Sequence, residues 1–281
     1  MIILQTPGKP VRKNTHYLLI IFLLICGYIL SACGTSIERD SAPSGPVDVS
    51  TVPDAVPKDE PRSRYGNPKS YEVFGKRYYV LESSKGFSER GIASWYGTKF
   101  HGRRTSSGET YDMYAMTAAH KLLPLPTYVE VINLENNKRV VVKVNDRGPF
   151  HDNRIIDLSY TAATKLDIVA KGTGLVEVRA IDSSTSNRNQ VIPVKNIPAQ
   201  GSGLPQFYIQ IGAFSELVNA ENARQKAISI GDSLVKVSQA AVDGKVLYRV
   251  RIGPLASVEY ADTIVGQLAK LGIYDHHIVL D

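Results

Sequence analysis

Residues 129–150 read VEVINLENNKRVVVKVNDRGPF. Val129 to Leu134 alternates apolar and polar side chains, and Val140, Val142 and Val144 fall on one face of a second such run. Between them stands Asn136-Asn137, and asparagine tolerates the left-handed backbone that a tight turn requires. The stretch therefore predicts a β-hairpin that ends in the polar run Asn145-Asp146-Arg147-Gly148-Pro149. Outward from it, Tyr71 to Val80 alternates around Gly75 as a shorter hairpin, and Val176 to Ile181 reads as a further strand. Ser159 is placed to cap a short helix, Tyr160 to Leu166. Many short strands with little helix predict a small, mainly β barrel over 70–182.

The flanks differ in composition. Residues 183–205 are rich in Ser, Asn and Gln and read as a linker. Residues 206–281 follow a βαβ-βαβ rhythm, which predicts a small α+β domain. Its strands read Phe207–Ile211, Leu234–Gln239, Leu247–Ile252 and His277–Leu280; its helices read Glu216–Ser229, capped by Ser215, and Val258–Leu271, capped by Ser257. Residues 34–69 carry six prolines with many Ser, Asp and Arg, and are expected to form a disordered tether.

Residues 1–32 read as an address. Lys9, Arg12 and Lys13 precede an apolar run, Tyr17 to Leu30, that is short of the ~20 residues of a spanning helix. Leu30-Ser31-Ala32-Cys33 resembles a bacterial lipobox; a plain secretory signal or an N-terminal anchor helix is the other reading. The lipobox implies lipidation of Cys33, an extracytoplasmic location and a membrane partner through the lipid. Gly34 in place of Asp, by resemblance to sorted lipoproteins, implies the periplasmic face of the outer membrane.

The whole chain of 281 residues is formally +6, and +3 once the three basic residues of the signal are set aside. That is too mild to imply nucleic acid, and suits a neutral or acidic polymer. With two cysteines and scattered histidines, no metal or cofactor is expected.

The candidate chemistry gathers in the barrel. Asp146 follows a strand and precedes a Gly-Pro turn, where substrate can reach it; Glu109 follows Ser107-Gly108. Carboxylates beside aromatic rings are what glycan cleavage needs: an acid protonates the bridging oxygen, an anion steadies the oxocarbenium-like charge, and flat rings stack on sugars. Trp95, Tyr96 and Phe100 are the candidate platforms, and Glu109 is a candidate like-charge partner that keeps Asp146 protonated. Each has a plainer role. Asp146 also makes a turn former, Glu109 an exposed hairpin acid, His120 a capping or core histidine, and Trp95 and Tyr96 core residues. Arg154 and Asp157 read as an internal ion pair rather than as catalysts.

Residues 70–182 closely resemble the rare lipoprotein A family. The matching strings are Gly-Ile-Ala-Ser-Trp-Tyr-Gly (91–97), Phe-His-Gly (100–102), Gly-Glu (108–109), Thr-Ala-Ala-His (117–120), Asn-Asp-Arg-Gly-Pro-Phe (145–150) and Arg-Ile-Ile-Asp-Leu-Ser (154–159). The resemblance implies a double-psi β-barrel and lytic transglycosylase activity on peptidoglycan. The family's catalytic acid falls on Asp146, its partner acid on Glu109 and its active-site histidine on His120. Cleavage between N-acetylmuramic acid and N-acetylglucosamine would leave 1,6-anhydro ends, by endo or exo action. Asn137 and Pro126 depart from the family's frequent glycines, at loops rather than at the acids. The tail resembles a SPOR domain through Phe-Tyr-Ile-Gln-Ile-Gly-Ala-Phe (207–214) and Tyr-Arg-Val-Arg-Ile-Gly-Pro (248–254). That implies a ferredoxin-like domain that binds peptide-stripped glycan at the division septum, among the division machinery. Tyr208, Gln210, Phe214, Arg249 and Arg251 are its candidate contacts. The competing readings are an expansin-like barrel that binds peptidoglycan without cutting it, and an adaptor of the division ring.

Overall fold

The computed structural model describes residues 40–45, 47–151, 153–182, 206–242 and 244–280. The lipobox with Cys33 and Gly34, and the linker 183–205, lie outside the described residues.

Among the described residues twelve strands and three α-helices follow one another along the chain. A two-stranded hairpin, β1 (Ser70–Val73) and β2 (Lys76–Tyr79), comes first. The next six strands are β3 (Ser88–Tyr96), β4 (Thr117–His120), β5 (Thr127–Asn133), β6 (Arg139–Asp146), β7 (Arg154–Ser159) and β8 (Thr173–Ala180). They close into a barrel in the order β3-β7-β4-β6-β5-β8. The β3/β7 and β4/β6 pairs are parallel and the other pairs antiparallel.

The hairpin expected at 129–144 is β5–β6, with Asn137 at φ 59 in its turn. The barrel core is the inward face of these strands: Val129, Val131, Val140, Val142 and Val144 are at most 2% exposed. Each contributes about 1.5–3 kcal/mol relative to an exposed side chain. The short helix α1 (Tyr160–Lys165) is capped by the Ser159 hydroxyl, which accepts from the Ala162 N–H.

The tail is a four-stranded antiparallel sheet, in the order β10 (Val235–Val242), β11 (Lys245–Leu255), β9 (Phe207–Phe214), β12 (His277–Leu280). Helices α2 (Leu217–Ala227) and α3 (Val258–Lys270) bury Ala220, Ile264 and Leu268 against Phe207, Ile209, Val250 and Ile252. Ser257 caps α3 by accepting from the Tyr260 N–H. Ser215 does not cap α2: the helix starts later, Glu216 holds the cap position, and no side chain there bonds the helix end.

The tether expected over 34–69 is corrected in its second half. Residues 47–69 lie along the barrel, with Val49 buried and Val52 and Ala55 packed on its core. The Asp54 carboxylate accepts from the Val141 N–H at 3.1 Å and pairs with Lys165 at 3.2 Å. Glu60 pairs with Lys143 at 3.0 Å, and Asn67 exchanges two 2.8 Å hydrogen bonds with the backbone of Leu125. The segment has too little apolar surface to fold alone; the barrel supplies the other side of these contacts.

Candidate functional site

Strand pairing sets four residues of distant sequence side by side. Ser94 on β3 pairs with Asp157 on β7, Asp157 with Ala119 on β4, and Ala119 with Asp146 on β6. The adjacent row, Leu158, Ala118 and Val144, is fully buried in the core. Alternation therefore turns the first row to the opposite face. A register shift after Ala118 leaves Asn145 as the extra residue of β6, and this bulge brings Asp146 level with Ala119.

Asp146 is half-buried and held by one oxygen. Its Oδ1 accepts from the Ser106 N–H at 2.7 Å, the Ser106 hydroxyl at 2.6 Å and the Arg147 N–H at 2.7 Å. Its Oδ2 takes no hydrogen bond from the described residues. Three donors fill Oδ1, so Oδ2 is the oxygen open to a ligand. Behind it, the Arg147 guanidinium points away and ties three backbone segments together. It donates to Gly66 O at 2.6 and 2.9 Å, to Leu123 O at 2.5 Å and to His120 O at 3.2 Å.

Glu109 does not serve as a bare like charge beside Asp146. Its carboxylate pairs with Lys143 at 2.8 Å and accepts from the Asn145 amide at 2.6 Å. It therefore steadies the bulge that aims Asp146, with its charge matched by a lysine. His120 is also reassigned. It is 1% exposed, its Nδ1 accepts from the Leu122 and Leu123 N–H groups at 3.1 Å, and its Nε2 faces Glu89 Oε2 at 3.3 Å. Two backbone donors on Nδ1 place the proton on Nε2, and burial pushes the ring's pKa down, so the imidazole is neutral. Both nitrogens are engaged, and the bonds to Nδ1 hold the turn 120–123.

Beside this row opens a cleft of about 330 Å³, lined by Ser94, Trp95, Phe100, Phe150, His151 and Asp157 among others. Phe100 is 39% exposed and fits a stacking platform. Trp95 is half-buried against the core and edge-on to Tyr160. Tyr96, also expected as a platform, is 7% exposed and stacked on Tyr111 with ring centroids 3.9 Å apart, so it forms the cleft's wall. Asp40 and Ser41 close one side: Asp40 accepts from the Gly97 and Lys99 N–H groups at 2.9 and 3.1 Å.

The ion pair expected between Arg154 and Asp157 is not formed. Arg154 pairs with Asp262 at 3.1 Å, and Asp157 accepts instead from the Ser94 hydroxyl. Asp157 still meets solvent through the cleft, but protein crowds its other sides, and that loss of water raises its carboxyl above the ordinary value. Sequence reasoning missed Asp157, Ser106 and the reach of Arg147. The available signal for Asp157 was a lone carboxylate between Ile156 and Leu158 in an apolar strand.

In the tail, Tyr208, Gln210 and Arg251 share the sheet face turned away from the helices. Arg251 Nε donates to Gln210 Oε1 at 3.2 Å, and its guanidinium stands 5.9 Å from the Tyr208 ring centroid. Arg249 follows two residues before Arg251 on β11, and the Phe214 ring folds over Gly212 of β9. Among the described residues no group of three His, Cys, Asp or Glu side chains converges on one point.

Two family models match the chain: "Lytic transglycolase" over residues 88–179 and "SPOR domain" over residues 204–279. Curated relatives carry the name endolytic peptidoglycan transglycosylase RlpA. The one from Vibrio cholerae is 41% identical over 263 residues, covering 93% of this chain and 95% of that protein. The one from Pseudomonas aeruginosa (strain UCBPP-PA14) is 39% identical over 270 residues, with 79% of each chain covered. The crystal structure of the RlpA SPOR domain from P. aeruginosa shares 25% identity over 26% of this chain and 96% of that one, at a TM-score of 0.25.

Proposed function

This chain belongs to the RlpA family of endolytic peptidoglycan transglycosylases, and from that premise we propose how its own residues do the work. The barrel is a lytic transglycosylase domain and the tail a SPOR domain. The substrate is the peptidoglycan glycan strand, cut between N-acetylmuramic acid and N-acetylglucosamine. The C6 hydroxyl of the muramic residue bonds to its own anomeric carbon, leaving a 1,6-anhydro end and consuming no water. The observation that carries this reading is Asp146, at the end of a barrel strand: one oxygen is held by three donors and the other takes none among the described residues. Its Oδ2 exchanges a proton with the sugar, Phe100 offers a stacking face, and Glu109 and His120 hold the surrounding turns.

The SPOR sheet face with Tyr208, Gln210 and Arg251 binds peptide-stripped glycan, joined by Arg249 and Phe214. It raises the local concentration of cleavable strand at the septum. Lipid on Cys33, after removal of residues 1–32, anchors the protein to the periplasmic face of the outer membrane.

The test mixes residues 34–281 with amidase-treated sacculi and reads anhydro-ended sugars by mass spectrometry. Wild type releases them and Asp146→Asn releases at most about a hundredth as much, the span of a lost acid–base group. Equal release by the two would reject Asp146. Sedimentation of both with sacculi, with release by neither, would favour the expansin-like binding reading.

A further inference from the structure

Asp157, a carboxyl of the aromatic cleft, takes no part in that mechanism. Asp157 sits two strands from Asp146, with only Ala119 between them. Two interstrand steps of about 4.8 Å place their Cα atoms roughly 9–10 Å apart, near enough for both side chains to reach one bound disaccharide. The Gly148 turn passes directly above. A methyl group added there would lie 3.9 Å from both the Ala119 methyl and Asp157 Oδ2. The only side chain between the two acids on that row is thus a methyl, and the turn that packs on it does so through Gly148, which has no side chain.

We propose that Asp157 is a second catalytic residue of the transglycosylase reaction, the donor of the proton, with Asp146 the acceptor. The inference rests on the lytic reading and assigns its two proton transfers to two groups. The Asp157 carboxyl gives its proton to the bridging oxygen as the bond from that oxygen to the muramic C1 breaks. The C6 hydroxyl oxygen bonds to C1, and its proton passes to Asp146 Oδ2. Asp157 ends ionised and Asp146 protonated, and exchange with solvent restores both.

The surroundings divide the roles. Asp157 faces the aromatic cleft, accepts only the Ser94 hydroxyl among the described residues, and is raised by burial. Arg154, Lys121 and His151 face it and pull the other way, yet Arg154 is held by Asp262 and Lys121 by the Arg154 carbonyl at 2.6 Å. Tyr96 and Tyr111 lie within electrostatic reach of both acids, and Asp40 lines the same cleft. Asp146 is instead an acceptor by construction, with three donors on Oδ1.

Two substrates separate the roles. On peptide-stripped glycan, Asp157→Asn should lose about 10²- to 10⁴-fold in rate. On a muramic glycoside whose leaving group is a nitrophenolate, departure needs no added proton. There Asp157→Asn should stay within a few-fold of wild type while Asp146→Asn remains inactive. Folding is checked by melting: the folded state disfavours ionised Asp157, a cost present above its raised folded value, so Asp157→Asn should melt at or above the wild-type temperature near pH 7. Ser94→Ala removes the one hydrogen bond that favours the ionised form, and should move the alkaline limb of the pH–rate profile upward. Wild-type rate on glycan for Asp157→Asn, or equal loss on both substrates in a folded protein, overturns the proposal. Absence of anhydro product from wild type overturns the lytic reading itself.

Discussion

Replacing Arg147 by Met should loosen the barrel around the acid without touching the acid. The guanidinium donates to four backbone carbonyls, closely to Gly66, Leu123 and His120 and at 3.4 Å to Lys121, and stands 5.8 Å from the Tyr71 ring centroid. Methionine keeps the aliphatic length but offers no donor. A hydrogen bond to a charged group contributes about 1.5–3 kcal/mol and a neutral one about 1. Three lost partners at about 1–1.5 kcal/mol each, less the relief of no longer desolvating a guanidinium, leave about 2–4 kcal/mol. For a barrel of this size that is a fall of roughly 10 °C in melting temperature. The assay is thermal unfolding followed by near-ultraviolet circular dichroism, because Tyr71, Tyr78 and Phe150 cluster beside the guanidinium. Arg147→Lys should recover part of the loss, since a single ammonium reaches one or two of the carbonyls. If Arg147→Met melts within about 1 °C of wild type, the guanidinium does not tie these segments together and the reasoning fails.

Two further outcomes follow from the same region. His120 is neutral and buried, with its folded pKa depressed, so the unfolded chain takes up a proton first as the pH falls. Its contribution is fully present above about pH 6.5 and is lost as the pH drops below that value. Urea titrations from pH 8 to pH 5 should therefore show the stability gap between wild type and His120→Gln narrowing toward acid; a constant gap would contradict the assignment. Gly148 holds φ 136, where a side chain is strained, and a methyl there would hang over Ala119 between the two acids. Gly148→Ala should cost about 1–3 kcal/mol and depress turnover of glycan more than binding to sacculi, measured by unfolding and by sedimentation. Unchanged turnover would show that this turn does not set the alignment of the two acids.

What could be read from the sequence was local. Alternating valines announced β5 and β6, Asn137 their turn, and Ser159 and Ser257 two helix starts, because each is a rule about neighbours in the chain. The strings around Asp146, Glu109 and His120 marked one region of the barrel. Their roles were not legible, because a role depends on which atom faces which. Glu109 meets Lys143 and Asn145 across 34 and 36 residues, and His120 meets Glu89 across 31. Asp157 looked like half of an ion pair, but the fold gives Arg154 a partner 108 residues away, Asp262 of α3. The proline-rich segment before residue 70 misled for a different reason: composition measures what a segment can bury by itself, and this one is buried by something else.

The spacing of the two aspartates has a wider meaning. It comes from the hydrogen-bond ladder of β6, β4 and β7, not from the packing of any side chain. The protein's own scaffolding is therefore its ruler, with one strand's width of floor on either side of Ala119. Loops around the trough are free to drift and change which glycans are admitted. The distance across which a sugar bond is broken would survive that drift, for as long as those three strands stay in register.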